Sequence, residues 1–464
     1  MLRAPVTCSR CVPAACLLQY KTMSVSIQKY ITGHGSVQIA RSIEKAVREG
    51  AVAPGDRLPT VRALADRLTV SPATVAAAYR ALRERGIVSG QGRRGTVVSA
   101  APPVSTPLAV SVPDGVRNLV DGNPDRDLLP DLRPALAKLE GAQRMYGGDI
   151  KSDALLRLAA ARLAADGIAA GSLAIVGGAL DGIERVLQVH LRPGDRVIVE
   201  DPGFIGVLDL LRALGLVAVA VAVDDAGVVP DELEAALEAG ADALIVTPRA
   251  QNPMGAAIDA GRARALRRVL GAHPDLLVIE DDHAAGVAGA PLESLVDKKR
   301  SRWAFARSVS KSLGPDLRLA VLAGDSQTVS RVEGRQTMGI RWVSRILQDL
   351  VVALWSDRSV DRLLLRAERA YTERRQGLLD ELAARGIEAF GRSGMNVWVP
   401  VADESSVVLR LRDEGWAVAP GERFRLGTAA AIRVTTSTLR RDDAARFAGA
   451  LASILAPGGA QSVA

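Results

Sequence analysis

From Asn118 onward the sequence alternates short apolar runs with longer segments rich in Ala, Leu and Arg. The apolar runs are LAIV at 173–176, RVIVE at 196–200, ALIVTP at 243–248 and LLVIEDD at 276–282. Short apolar strands that alternate with helices form mainly parallel sheets. The pattern therefore predicts a large α/β domain with a mainly parallel sheet.

The residues before this domain follow a different pattern. Residues 37–50 repeat an apolar residue every four positions and predict a helix, which the breakers in APGDRLP end. Thr60 can cap a second helix at 61–68, and Ser71 can cap a third. IVSGQGRRGTVVS at 87–99 then reads as two short strands around a Gly- and Arg-rich tip. Three helices and a hairpin predict a winged helix-turn-helix.

The positive charge is concentrated in this N-terminal module. The net charge is +7, and residues 23–99 contain 12 Lys/Arg against 5 Asp/Glu, whereas acidic side chains slightly outnumber basic ones from residue 100 onward. A basic module on a mildly acidic body indicates binding to nucleic acid. The alternative is a small Arg-rich domain that is merely soluble.

All three cysteines, Cys8, Cys11 and Cys16, lie near the start of the chain, so we expect no disulfide framework and a cytoplasmic protein. Their spacing has no fourth ligand nearby, and we expect no metal site. We interpret residues 1–22 as a disordered tail or an extended start, because Met23 could also begin the chain. No apolar run reaches the roughly 20 residues of a membrane span, so we expect no membrane partner.

These patterns set the predicted domain boundaries. Residues 23–99 form the winged-helix module, and residues 119–464 form the α/β domain. Between them, residues 100–118 contain four prolines and few charges, which predicts a semi-extended linker.

One lysine stands among small and hydroxyl-bearing residues in SVSKSLGPDLRLA, residues 308–320. Lys311 can form a Schiff base with an aldehyde, while Ser308 and Arg318 can hold a phosphate. Pyridoxal 5′-phosphate (PLP) carries both groups, so we predict that this segment binds PLP.

Other candidate cofactor contacts follow predicted strands. Gly178 and Ala179 begin a helix whose backbone N–H groups can cradle a phosphate, or they form a simple tight turn. Phe204 can stack on a flat ring or pack in the core. Asn252 can donate to a phenolate oxygen or form an Asx-turn. Asp281 can pair with a pyridinium nitrogen, although it could be an exposed strand-end acid and Asp282 could take its role.

In a helix-turn-helix the second helix of the pair enters the major groove with its N-terminal turn. The candidate DNA contacts are Arg62, Ser71, Ala73, Thr74, Arg93, Arg94 and Gly95. Most of these candidates have a structural alternative: helix capping for Ser71, packing for Thr74, and a salt bridge to Asp66 for Arg62. For the arginines of the wing the alternative is a solvated turn.

PGDRLPTVRALADRLTVSPATVAAAYRALRERG followed by GRRGTVV resembles the GntR-type winged helix over about 60 residues. The resemblance implies that Arg62 and the first turn of the third helix contact DNA. Pro72 stands where that family often has arginine, which puts a base contact from this position in doubt.

Residues 119–455 carry their candidates in the order and spacing of fold-type I aminotransferases. A GntR-type module joined to this fold resembles the MocR subfamily of transcriptional regulators. The resemblance implies a Schiff base at Lys311 and PLP contacts from Asp281 to the ring nitrogen, Asn252 to the 3′-oxygen, and Ser308 and Arg318 to the phosphate. It also implies a head-to-tail homodimer in which Tyr146 reaches the neighbour's phosphate. Arg433, in AIRVTT, matches the arginine that grips a substrate or effector carboxylate.

The sequence departs from that subfamily at three places. His283 replaces the usual tyrosine after the ring aspartate; it could still contact the 3′-oxygen, but we expect it to titrate near neutrality and alter the tuning of the ring. Leu180 replaces a glutamine, and the usual Pro-x-Gly after Tyr146 is absent.

The sequence thus predicts a PLP-responsive regulator that binds a double-stranded DNA operator and senses PLP or an amino-compound effector. An active PLP-dependent aminotransferase and a regulator whose large domain has lost PLP are the two alternatives.

Overall fold

The structure is a computed structural model of the 464-residue chain. It describes residues 28–48, 51–53, 55–84, 87–90, 95–98, 112–139, 145–168, 171–296 and 300–456. The chain divides into two compact units, Met1–Ser105 and Thr106–Ala464. The predicted tail at 1–22 and most of the predicted linker lie outside the described residues.

The N-terminal unit has the predicted order of elements. They are α1 (Ser36–Arg48), α2 (Val61–Leu68), α3 (Pro72–Glu84), β1 (Val88–Gly90) and β2 (Thr96–Val98). β1 and β2 pair antiparallel as the wing. The Thr60 hydroxyl accepts from the Ala63 N–H at 3.3 Å and the Ser71 hydroxyl from the Thr74 N–H at 3.1 Å, so both predicted caps are confirmed.

The core of this unit forms where the apolar stripes of the three helices meet. Ile39, Ile43, Leu64, Val75 and Leu82 are fully buried there. Their spacing of three to four residues places them on one face of each helix, which is why the short sequence can bury a single core.

The large unit begins with β3 (Arg117–Leu119), α4 (Arg133–Leu136) and α5 (Asp153–Ala165). β3 starts inside the predicted linker, at 117 rather than 119. The reason is a tertiary contact that the linker composition conceals, because these residues pair with a strand from the far end of the chain.

An eight-stranded sheet forms the centre of the described large unit. Its strands are β4 (Ser172–Val176), β5 (Arg196–Asp201), β6 (Val217–Asp224), β7 (Gly227–Val228), β8 (Ala243–Val246), β9 (Leu277–Asp282), β10 (Trp303–Ser308) and β11 (Ala320–Gly324). The order is β4-β11-β10-β9-β8-β5-β6-β7. β6, β5, β8, β9 and β10 are parallel, and β11 is antiparallel to β10 and β4. The predicted mainly parallel sheet and its four apolar runs are confirmed.

Helices cover both faces of this sheet. They are α6 (Ala179–His190), α7 (Ile205–Leu214), α8 (Pro230–Glu238), α9 (Ala260–Gly271), α10 (Ser326–Thr337), α11 (Arg345–Trp355) and α12 (Arg358–Ala383). Alternate residues of β9 enter different cores, with Leu277 and Ile279 in one and Val278 in another. A strand buried on both faces explains the unbroken apolar run. None of the described helices is long and apolar enough to cross a membrane.

A second, smaller sheet completes the large unit. Its elements are β12 (Asn396–Pro400), α13 (Glu404–Asp413), β13 (Trp416–Pro420), β14 (Ala431–Thr435) and α14 (Arg441–Leu455). The order is β12-β14-β13-β3, with β3 parallel to β13. β3, the first strand of the large unit, is therefore paired with β13, a strand from the C-terminal part of that unit.

The direction of the strands in the large sheet determines where polar side chains meet. β4, β5, β8, β9 and β10 all point the same way, so their carboxyl ends lie at one edge of the sheet. β11 runs in the opposite direction and begins at that edge. Ligands of open α/β sheets bind at such an edge.

Candidate functional site

The sheet edge carries most of the candidates that the sequence identifies. Gly178 and Ala179 follow β4, Phe204 follows β5 and Asn252 follows β8. The others lie at the ends of β9 and β10 or just before β11: Asp281, His283, Ser308, Lys311 and Arg318.

The amine of Lys311, at this edge of the sheet, has a lowered pKa. Its Nζ donates to the backbone oxygen of Gly122 at 2.5 Å. Burial, followed by the positive charge of Arg433, lowers the pKa of Lys311 to about 8, against the opposing effect of Asp281. A larger share of neutral, nucleophilic amine is therefore present at neutral pH than in a free lysine.

Asp281 is a buried carboxyl with an unused oxygen. Its Oδ1 has no hydrogen-bond partner among the described protein atoms. Burial, with contributions from the nearby acids Asp282 and Glu200, raises the pKa of Asp281 to about 7. A buried acceptor without a donor costs free energy, so this atom suits a ligand that brings a donor or a positive charge.

Asp282 does not share this environment, because consecutive side chains of a strand point to opposite faces. Its carboxylate accepts from Arg249 Nε at 2.8 Å and from Arg307 Nε at 2.9 Å. Although burial opposes it, these two guanidinium groups hold the pKa of Asp282 below its usual value. Asp282 is thus fully engaged, which leaves Asp281 as the carboxyl available to a ligand.

The two arginines extend this contact into a buried ion network. Arg307 also pairs with Asp166 at 2.7 Å, at the end of α5, and Arg249 lies 3.5 Å from the same carboxylate. The network joins the carboxyl end of β9, at Asp282, to that of β10, at Arg307, so the distance between these two strand ends is fixed. Sequence reasoning missed it because the four residues are far apart in the chain.

Gly178 lies where a guanidinium approaches the first turn of α6. Its φ is +113°, and a Cβ at this position would lie 2.8 Å from Arg318 Nη2. No side chain caps α6, so backbone N–H groups at its N-terminus remain for an anion. Ser308 is buried, and its hydroxyl bonds to Ser310 at 3.0 Å. This arrangement is a suitable phosphate cradle.

Phe204 precedes α7 and packs, partly buried, against the core that includes Val207 and Leu208. A Cβ at Gly206 would lie 2.6 Å from its ring and 3.3 Å from the side chain of Leu180. The described contacts are those of core packing, and stacking on a ligand ring stays a prediction.

Asn252 has an amide whose orientation is fixed by its neighbours. Its Oδ1 accepts from Arg433 at 3.1 Å and lies 3.5 Å from the amide nitrogen of Asn396. The Oδ1 of Asn396 accepts in turn from the Thr435 hydroxyl at 3.1 Å. Because the donors occupy Oδ1, the Nδ2 group of Asn252 is available as a donor elsewhere. Asn396 was missed by sequence reasoning, since nothing local distinguishes it.

Arg433 is buried on β14 and contacts Asn252 at the edge of the large sheet. It donates to Asn252 and to the backbone oxygen of Val120, its guanidinium stacks 4.7 Å from the centre of the Phe424 ring, and its Nε is buried without a partner in the described structure. Burial, followed by the charge of Arg423, lowers the pKa of Arg433 to about 10, so it stays cationic at neutral pH. A buried cation with a free donor suits a ligand anion.

His283 behaves differently from the expectation. Burial, followed by the positive charge of Lys311, lowers the pKa of His283 to about 4. The prediction that this ring titrates near neutrality is therefore wrong, because the imidazole is too desolvated to hold a proton there. It is neutral at neutral pH, with one donor and one acceptor nitrogen.

Asp201, at the end of β5, ties the sheet edge to the loop before β14. Its carboxylate accepts from the backbone N–H groups of Leu426 at 2.8 Å, Gly427 at 2.8 Å and Thr428 at 3.0 Å. The strand that carries Arg433 is therefore anchored to the main sheet.

Tyr146 lies apart from this group within the described unit. It is 80% exposed, its ring meets Trp342 edge to face at 5.8 Å, and Arg341 lies over it at 5.4 Å. An exposed aromatic cluster of this kind is available to a second chain.

In the N-terminal unit, the candidate DNA contacts lie around the start of α3. Arg62, Ser71 and Ala73 are exposed, and Thr74 is half-buried with its hydroxyl 2.8 Å from that of Ser71. Within the described residues Arg62 forms no ion pair with Asp66. A guanidinium without that pair is available to a phosphate or a base.

The wing is only partly described. Gly95 is exposed, with φ +86°. Arg93 and Arg94 lie outside the described residues. Among the residues that are described, no group of His, Cys, Asp or Glu side chains could hold a metal ion.

The residues at the sheet edge fit PLP. Lys311 offers an amine with a lowered pKa, Asp281 an oxygen without a donor, and α6 with Arg318 a cradle for a phosphate. These are the three contacts that an aldehyde, a pyridinium nitrogen and a phosphate require.

Comparison with known proteins identifies both units. Residues 36–98 match the family "Bacterial regulatory proteins, gntR family", and residues 114–451 match "Aminotransferase class I and II". The vitamin B6 salvage pathway transcriptional repressor PtsJ of Salmonella typhimurium is 40% identical over 88% of this chain and 96% of its own length. The HTH-type transcriptional regulator TauR of Rhodobacter capsulatus is 30% identical over 87% and 93%.

Among solved structures, the α-aminoadipate aminotransferase LysN of Thermus thermophilus, complexed with N-(5′-phosphopyridoxyl)-L-leucine, shares the fold. Its TM-score is 0.66 at 23% identity, over 74% of this chain and 92% of LysN. The cofactor of this chain is PLP, as its aminotransferase class I and II domain and the fitted sheet edge require. The chain belongs to the MocR-type regulators of the GntR family, which join a winged helix-turn-helix to an aminotransferase-like domain.

Proposed function

We propose that the chain is a cytoplasmic, homodimeric transcription regulator that binds an operator with its N-terminal unit and senses PLP or an amino-compound with its large unit. The observation that carries this proposal is the unpaired Oδ1 of Asp281 at the same sheet edge as Lys311, in a chain that also has a GntR-type unit.

Each residue of the sheet edge has a role in this proposal. PLP supplies an aldehyde that bonds to amines and a ring that withdraws electrons. Lys311 would hold the aldehyde carbon, Asp281 would keep the ring nitrogen protonated, and Asn252 would donate its Nδ2 to the 3′-oxygen. Ser308, Arg318 and the first turn of α6 would hold the phosphate, and Gly178 and Ala179 would leave room for it.

Around the ring, Phe204 would stack on one face, and His283 would bond to the 3′-oxygen as a neutral imidazole. Leu180 would add an apolar contact where the subfamily has an amide. The ring would therefore be held with fewer polar contacts than the subfamily pattern implies.

Arg433 binds the carboxylate of an effector. Its unpartnered Nε and its position beside Asn252 support a bidentate contact. An amino acid-like effector would present its amine to the aldehyde carbon that Lys311 would hold, and its carboxylate to Arg433. PLP itself is the other effector class. PtsJ is a repressor of the vitamin B6 salvage pathway, which favours a B6 compound as the effector of this chain.

The N-terminal unit reads DNA with the start of α3 and the wing. Arg62 and Ser71 contact phosphates or bases, and Ala73 and Thr74 face the floor of the major groove. The wing residues contact the sugar-phosphate backbone of the DNA: Arg93, Arg94 and Gly95. A dimer would place two such units on two half-sites. Tyr146, in its exposed aromatic cluster, reaches the partner's phosphate site.

The decisive test traps the cofactor and then measures DNA binding. Borohydride reduction of PLP-treated protein, followed by peptide mass mapping, should give one pyridoxyl adduct, on Lys311. The Lys311→Ala variant should give none. A footprint of the upstream intergenic DNA should change when PLP or a candidate amine is added to the wild type and stay constant in Lys311→Ala. Absence of the adduct from PLP-saturated wild type would refute the proposal.

An active aminotransferase is the second candidate, because Lys311, Asp281 and Arg433 together form a complete binding set for an amino acid. Incubation with an amino acid and a 2-oxo acid distinguishes the two functions. A regulator should show at most slow half-reactions, whereas sustained exchange of the amino group would establish an enzyme.

A further inference from the structure

A short segment of the large unit crosses the proposed ligand site. Residues 120–124, here called the strap, connect β3 with a turn that begins at Asp125. Leu119 fixes one end, fully buried in β3. At the other end the Asp125 N–H donates to the Tyr371 hydroxyl at 3.0 Å, and its carboxylate accepts from Arg374 at 2.8 Å. Both ends are held, and no strand pairing holds the described residues between them.

The exposed side chain of Asn118, just before the strap, bonds to the first residues of the strap. Asn118 Oδ1 accepts from the backbone N–H of Val120 at 2.9 Å and of Asp121 at 3.3 Å, and its Nδ2 donates to the Asp121 carboxylate at 2.8 Å. This side chain therefore sets the direction of the strap carbonyl groups.

Two backbone carbonyl groups of the strap accept hydrogen bonds from the two cationic side chains of the site. The Gly122 oxygen accepts from Lys311 Nζ at 2.5 Å, and the Val120 oxygen accepts from Arg433. The same groups bind the aldehyde and the carboxylate in the proposed function, on which this inference rests. We propose that the strap is an autoinhibitory element, which competes with ligands for these N–H donors and weakens their binding.

The chemistry of the lysine explains the competition. When its neutral amine condenses with an aldehyde, one C=N bond forms, and the carbonyl oxygen leaves as water with the two amine hydrogens. The nitrogen then carries at most one proton, so the bond to Gly122 is weakened or lost. A carboxylate at Arg433 also brings acceptor oxygens next to the Val120 carbonyl, and the oxygens repel each other. An occupied site therefore releases the strap.

Hydrogen exchange of the full-length chain tests the release. PLP-free and PLP-saturated samples are compared by mass spectrometry, with PLP uptake measured in the same samples by visible absorbance. Amides of the peptide that spans 117–125 should exchange faster with PLP, while a control peptide from α9 (Ala260–Gly271) should not change. Uptake with unchanged or slower strap exchange would overturn the strap proposal alone. Failure of uptake would refute the proposed function as well.

A variant tests the energetic effect. Asn118→Ala removes the bonds that shape the strap without touching a ligand-binding side chain, and Asn118 is exposed, so the fold is retained. PLP should bind about threefold to tenfold more tightly, the effect of loosening one or two ordinary hydrogen bonds. The control Asp131→Ala, also exposed but outside the strap, should bind PLP as the wild type does. Equal or weaker PLP binding by Asn118→Ala would contradict the competition.

Discussion

Replacing Asp281 with asparagine tests the electrostatic basis of the site. The pKa of this buried carboxyl rises from 3.8 to about 7 in PLP-free protein. The folded chain therefore holds a proton that the unfolded chain has released between about pH 4 and pH 7. By linkage, the contribution of Asp281 to stability falls as the pH rises through this window and is most unfavourable above pH 7. Asparagine keeps the shape and removes the titration.

The magnitude follows from the pKa. Between pH 5 and pH 7 the unfavourable contribution grows by about 1.4 kcal/mol per pH unit, or about 3 kcal/mol in total, and it is constant above pH 7. A buried amide adds its own cost, but that cost does not depend on pH. The unfolding free energy of Asp281→Asn minus that of the wild type should thus increase by about 3 kcal/mol from pH 5 to pH 8.

The assay is unfolding of the large unit by urea or heat, in PLP-free wild type and variant across this pH range. Taking the difference between the two proteins removes the titration of buried acids that do not interact with Asp281, such as Glu280. Saturating PLP should abolish the pH dependence of the difference, because a ring cation beside Asp281 restores the ordinary ionisation. Parallel pH profiles in PLP-free protein would refute the reasoning.

Three further predictions concern other parts of the chain. Arg62→Ala should weaken operator binding by about 1–3 kcal/mol and leave PLP uptake unchanged, whereas the exposed control Arg133→Ala should change neither; fluorescence anisotropy at several salt concentrations measures the affinity. Arg307→Met should destabilise the large unit by about 3–5 kcal/mol in urea unfolding, because it leaves the buried Asp282, and the half-buried Asp166 beside it, short of a cation. The rate of PLP uptake should rise with pH up to about 8 and then level off, as neutral Lys311 accumulates; stopped-flow absorbance that still rises steeply above pH 9 would contradict the lowered pKa.

The elements of the fold could be predicted because their signals are local. Ser71 caps a helix through a neighbour three residues away, and the run 276–282 is apolar because β9 is buried on both faces. Such features depend on a few consecutive residues and survive without knowledge of the tertiary structure.

The choice between Asp281 and Asp282 could not be made in this way. It depends on Arg249, which follows β8, and on Arg307, which lies on β10. Both guanidinium groups neutralise the same one of the two carboxyls. The protonation of His283 also depends on desolvation by the folded chain. The positions of polar groups could be predicted from sequence, whereas their charges required the packed structure.

The three backbone N–H groups that bind Asp201 have a consequence for how such a site can respond. They attach the loop before β14, the strand that carries Arg433, to the end of β5 in the large sheet. This side of the site therefore has little freedom to adapt to ligands of different size. Adaptation must come from the strap, which is held by fixed contacts at its ends and, between them, by hydrogen bonds to Lys311 and Arg433 that a ligand can replace. Selection for a new signal molecule should therefore alter residues 118–124 before it alters the arginine strand.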